Sequence, residues 1–157
     1  MKNVNVIAVL LGLYVFTSTT MGEEPKEGTA DQAKRDQLLA SVQQICPVTG
    51  NKLGEHGTPV KVKIGTEEVF LCCKSCVKGK IEPKHWATIH ANFAKAQGSC
   101  PVMKKALPKN AKWTIVNGRI VYVCCPPCIK KIEAEPEKYL KMVDQSYSES
   151  LKAKKAL

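Results

Sequence analysis

The chain has 157 residues, with 24 Lys and Arg against 14 Asp and Glu for a net charge of +10, and eight cysteines beside only two Trp, three Phe and four Tyr. That length suits one ordinary domain or two small ones, and so few aromatic residues exclude a large aromatic core, so the cysteines must account for much of the fold. The positive charge in isolation suits a nucleic acid or an acidic membrane. The lysines, however, are scattered as Lys61, Lys63, Lys74, Lys78, Lys80, Lys104, Lys105, Lys130 and Lys131 with no aromatic interleaving, so no nucleic-acid partner is expected.

In chain order, residues 1–22 read as a secretory signal. Lys2 is a short positive start, and Val4 to Phe16 is an apolar run too short to span a membrane comfortably. Thr20 and Gly22 supply small residues for cleavage before Glu23. An exported, periplasmic or otherwise extracytoplasmic chain with no stable membrane span after cleavage is therefore expected. Residues 23–45 then read as a linker followed by an amphipathic helix. Thr29 is placed to cap that helix with Gln32 three residues on, and Leu38, Leu39, Val42 and Ile45 share its apolar face.

From Cys46 onward the chain is an internal repeat. The first copy, 46–86, runs Cys46-Pro-Val-Thr-Gly, then Val60 to Leu71, then Cys72-Cys73-Lys-Ser-Cys76; the second, 100–143, runs Cys100-Pro-Val-Met, then Trp113 to Val123, then Cys124-Cys125-Pro-Pro-Cys128. All eight cysteines correspond between the copies. Alternating Val60, Val62 and Ile64, followed by Val69 to Leu71, predict two strands joined at Gly65-Thr66. Asn117-Gly118 is the clearer hairpin signal in the second copy. A short helix is predicted after each cysteine cluster, from Cys76 and from Cys128, with Pro126-Pro127 suited to a helix start. Pro83 and Pro136 end or redirect these helices. Trp86, Ile89 and Phe93 mark a longer helix reaching Gln97, whose 87–99 portion connects the copies, and residues 144–157 read as a polar, frayed tail. The expected fold is thus α+β, with two small treble-clef-like or zinc-ribbon-like units, each a hairpin and a short helix, joined by a longer helix.

A turn cysteine and a cysteine cluster at a hairpin-helix junction bring thiolates around one small volume, which suits zinc or copper(I). A helix start adds amide dipoles that favour the ionised sulfur. Cys46, Cys72, Cys73 and Cys76 form one candidate ligand set, and Cys100, Cys124, Cys125 and Cys128 the other. Neighbours on a strand face opposite sides, so one member of each adjacent pair pointing away would leave three thiolates and an unnamed fourth ligand. Met103 suits copper(I) but is more often packing, and His56, His85 and His90 read as surface residues.

The layout resembles the YHS and TRASH group of small metal-binding modules. Phe70-Leu-Cys72-Cys73-Lys-Ser-Cys76 and Tyr122-Val-Cys124-Cys125-Pro-Pro-Cys128 match the family's cluster, and Pro136-Glu-Lys-Tyr139-Leu its closing segment. Thr49 and Met103 stand near the place where the family often carries a cysteine, and Trp86 replaces the closing Tyr in the first copy. The resemblance implies heavy-metal handling, buffering or trafficking, with an envelope metal-transport or efflux protein as partner. Two alternatives stand beside it. One is a disulfide-stapled scaffold, weakened because adjacent cysteines bridge only with strain. The other is a Cys-x-x-Cys redox protein, which would call for a βαβ context. No catalytic grouping of residues is evident, and an enzyme is not expected.

Overall fold

The computed structural model describes residues 27–156; the expected signal and most of the linker lie outside these residues. The chain folds as an α+β protein. Helix α1 (Glu27–Gln43) leads into hairpin β1 (Val60–Ile64) and β2 (Glu67–Leu71), a 3-10 turn (Lys74–Lys78) and α2 (Pro83–Gln97). A second hairpin, β3 (Lys112–Val116) and β4 (Arg119–Val123), is followed by α3 (Pro127–Ala134) and α4 (Pro136–Lys155). Because α1 is already helical at Glu27, Thr29 lies inside it and not at its start. Among the described residues no helix is long and apolar enough to cross a membrane.

Both hairpins are antiparallel and closed by two-residue turns, with Ile64 opposite Glu67 and Val116 opposite Arg119. Asn117 and Gly118 both adopt positive φ, 49° and 78°, the conformation for which this pair is favoured. The hairpins meet tip to edge, where the Glu68 N–H donates to the Gly118 carbonyl at 2.6 Å. A side chain at Gly118 would collide with Glu68 Cγ at 2.6 Å, so the contact requires glycine.

One main core spans both copies. It gathers Leu39 and Val42 of α1, Ile89 and Phe93 of α2, Val121 and Val123 of β4, Ile132 of α3, and Leu140, Val143 and Tyr147 of α4. The expected frayed tail is instead the second half of α4, and Tyr147 is only 1% exposed. Burying a tyrosine removes a large apolar surface from water, and Arg119 of β4 adds an ion pair to Asp144 on the same helix. Those two anchors explain why residues that look polar in sequence stay helical.

Two buried glutamines set the position of each hairpin. Gln43, at the end of α1, donates its amide to the carbonyls of Ile45 (2.9 Å) and Phe70 (2.7 Å) and accepts the Phe70 N–H (2.8 Å). Gln97, at the end of α2, does the same with Ser99 (2.9 Å), Tyr122 (2.7 Å) and the Tyr122 N–H (2.9 Å). A buried amide is tolerable only when its donors and acceptor are paired, and here the pairing falls two residues before each cysteine pair. The chain then reverses through a left-handed residue in each copy, Gln44 at φ 69° and Gly98 at φ 64°.

Candidate metal centre

In the first copy the chain after α1 turns at Cys46-Pro47-Val48-Thr49-Gly50, closed by Gly50 N–H donating to the Cys46 carbonyl at 2.9 Å. Gly50 has φ +75°, and a Cβ there would lie 2.6 Å from His85 Nε2, so the turn also makes room for that ring. This places Cys46 beneath the end of β2. The Sγ atoms of Cys46, Cys72 and Cys76 lie within 4.8 Å of one another, and all three residues are buried. Cys73 stands at the edge of this triad, half-buried, its sulfur 3.8 Å from Cys72 and 3.5 Å from Cys76; Cys72 and Cys76 are 3.6 Å apart. A tetrahedral ion with bonds of about 2.3 Å sets its sulfurs roughly 3.8 Å apart. The edges among Cys72, Cys73 and Cys76 are close to that length, and Cys46 lies within 4.8 Å of Cys72 and Cys76.

The second copy repeats the arrangement. The Lys104 N–H closes the turn on the Cys100 carbonyl at 2.8 Å, with Lys104 at φ 53° where the first copy has Gly50. Cys100, Cys124 and Cys128 form the triad within 4.8 Å. Cys125 sits beside it, 3.8 Å from Cys124 and 3.0 Å from Cys128. All eight cysteines are free thiols.

The local environment divides the thiols of each cluster. Burial opposes ionisation of Cys46, but the amides of Cys72, Thr49 and Val48 outweigh it and bring the thiol down to about 7. Ser75 and then the Cys76 thiol lower Cys73 to about 7. Burial, reinforced by the neighbouring sulfurs, pushes Cys76 up to about 12. Cys72 is also raised: the Thr49 hydroxyl, 3.5 Å from its sulfur, favours the anion, but burial and the sulfurs of Cys46 and Cys73 prevail. In the second copy Cys100 is lowered, with burial again overcome by the amides of Cys124, Met103 and Val102, and Cys125 is lowered chiefly by Cys128. Cys124 and Cys128 are raised, by burial first. Each cluster therefore holds two thiols that ionise more readily than an ordinary cysteine and two that resist it, and a cation bound there would displace the protons that remain.

Six of the eight predicted ligands fall into the two triads, and the other two, Cys73 and Cys125, lie against them at sulfur-contact distance. The donor set and spacing fit a thiolate-bound ion of the zinc or copper(I) type. Met103, expected to pack, is 46% exposed. His56 is exposed, as expected of a surface residue. His85 and His90 depart from that expectation: His85 Nδ1 is buried without a partner, and the His90 side chain, only 18% exposed, packs near the rings of Trp86 and Trp113. The predicted α-helix after Cys76 is only the 3-10 turn Lys74–Lys78, whereas the one after Cys128 forms as α3. Sequence reading missed the role of Gln43 and Gln97. The signal was present, since Gln43-Gln-Ile-Cys46-Pro-Val and Gln97-Gly-Ser-Cys100-Pro-Val repeat in register.

Comparison with protein-family models, with curated proteins and with solved structures finds no match to this chain. The functional reading therefore rests on the chain's own residues.

Proposed function

We propose that this is an exported, non-catalytic metal-binding protein that holds zinc or copper(I) in two thiolate clusters and serves in heavy-metal buffering or trafficking. The observation that carries the reading is the duplicated convergence of free thiols, Cys46, Cys72 and Cys76 in one copy and Cys100, Cys124 and Cys128 in the other. A single cysteine cluster could be incidental packing, but two built by the same turn, glutamine and hairpin argue for a shared ligand. Thiolate sulfur selects soft and borderline ions. Cys46, Cys72 and Cys76 are shielded from solvent, while half-buried Cys73 and Cys125 give each cluster a face through which an ion can be exchanged. The resemblance to YHS and TRASH modules supports metal handling, with an envelope transport or efflux protein as the receiving partner.

Elemental analysis combined with thiol titration, on protein purified without added reductant, tests the reading. The expected result is about one ion for each cluster, with the thiols recovered on chelation. Metal-free protein with no titratable thiol would replace it with the disulfide scaffold.

A further inference from the structure

Away from the sulfurs, a second kind of donor group is buried where the two copies meet. Glu67, the first residue of β2, is 6% exposed, and its Oε1 has no hydrogen-bond partner. Above it stands His90 of α2, with Nε2 3.3 Å from Glu67 Oε2. That nitrogen is buried yet makes no hydrogen bond to the carboxylate. One helical turn earlier the Trp86 ring lies 5.3 Å from the imidazole, and Trp113 of β3 meets it edge-on at 5.7 Å. The Tyr122 hydroxyl is engaged elsewhere, donating to the His90 carbonyl at 2.9 Å.

A carboxylate at this depth without a donor calls for a cation. Arg119 is committed to Asp144 and Lys61 to Asp36 and Glu68, and among the described ion pairs Glu67 has only His90. The spacing itself is informative. An ion bonded at about 2.0–2.1 Å to imidazole nitrogen and about 2.0–2.2 Å to carboxylate oxygen in tetrahedral geometry holds the two atoms roughly 3.3–3.5 Å apart. The observed 3.3 Å, without hydrogen-bond alignment, matches a ligand edge. The neighbouring indole of Trp86 favours a nearby cation, and Trp113, 51% exposed, keeps this side of the pair close to solvent.

We propose that Glu67 and His90 form a third cation site, of nitrogen and oxygen character, for a divalent borderline ion such as zinc or copper(II), with water completing its shell. It is independent of the thiolate clusters and stands or falls separately from them. Its donors are harder than sulfur, so it suits the divalent state of a metal that the cysteines would hold in reduced form.

Trp86 and Trp113 are the only tryptophans in the chain, and both lie beside His90, so indole fluorescence reports on the surroundings of this site. The experiment takes full-length protein carrying zinc at the stoichiometry its thiolates retain through gel filtration, and titrates it with nickel(II), which quenches indole emission. Quenching that saturates at about one equivalent is expected, with the midpoint weakened roughly tenfold or more in Glu67→Gln and in His90→Gln while retained zinc is unchanged. In the wild-type protein, ring proton signals of His90 should broaden before those of His56 and His85, a readout that does not depend on either variant folding. Midpoints in both variants equal to that of the wild-type protein, or equal broadening of all three histidines, would overturn the site.

Discussion

Around Cys76 the first copy makes only a five-residue 3-10 turn, while around Cys128 the second makes the eight-residue helix α3. The residues explain the difference. Gly79 stands where the second copy has Lys131, and a glycine inside a helix costs about 1 kcal/mol relative to alanine. Lys80 stands where the second copy has Ile132, which is fully buried in the main core. Without an apolar residue to anchor it, a helix this short gains too little from packing to form. The consequence reaches the cysteine clusters. Cys100 and Cys128 belong to the main core, whereas Cys46, Cys72 and Cys76 form a satellite cluster with Leu71, flanked by Val48, Leu53, Val60 and Val62. Two sites with the same sulfur arrangement thus rest on unequal foundations.

The most direct way to break the comparison is to remove one sulfur at a time. Cys76→Ser should lower bound metal by about one equivalent and leave the second copy loaded, and Cys128→Ser should do the converse. Loss of both ions from either variant, read by elemental analysis, would mean that the copies share one site. Next in size is the helix anchor: Ile132→Ala should cost about 2–5 kcal/mol in denaturant unfolding, whereas Lys80→Ala, at an exposed position, should stay within about 0.5 kcal/mol.

Where the copies agree, substitutions should act alike. Gln43→Ala unpairs the N–H and C=O of Phe70, and Gln97→Ala those of Tyr122, so each should cost on the order of 1–3 kcal/mol per group left buried and unsatisfied. A large effect at one glutamine and none at the other would show that only one clamp bears on stability. The smallest effect is local. In metal-free protein, amides of β1 and β2 should exchange with solvent faster than those of β3 and β4, because the first cluster has fewer buried neighbours. Equal protection would indicate that the Glu68–Gly118 contact makes the hairpins open together.

Much of this molecule was written in short-range pattern. The paired cysteines, the Cys-Pro-Val turns, the Asn117-Gly118 hairpin and α2 from Pro83 to Gln97 follow from residue spacing and turn chemistry, which act over a few residues. The eight candidate ligands followed from the repeat. Tertiary packing decided the rest. Tyr147 looks like part of a polar tail until α4 lays it in the core, and Gln43 and Gln97 look like ordinary helix residues until Phe70 and Tyr122 arrive from 27 and 25 positions away. The approach of Glu67 to His90 likewise joins a strand of one copy to the connecting helix. Such contacts depend on burial, and burial is a property of how elements stack, which no local spacing specifies. The sulfurs were placed by sequence period, whereas the depth at which each cluster sits, and the support it receives, came from the shared core.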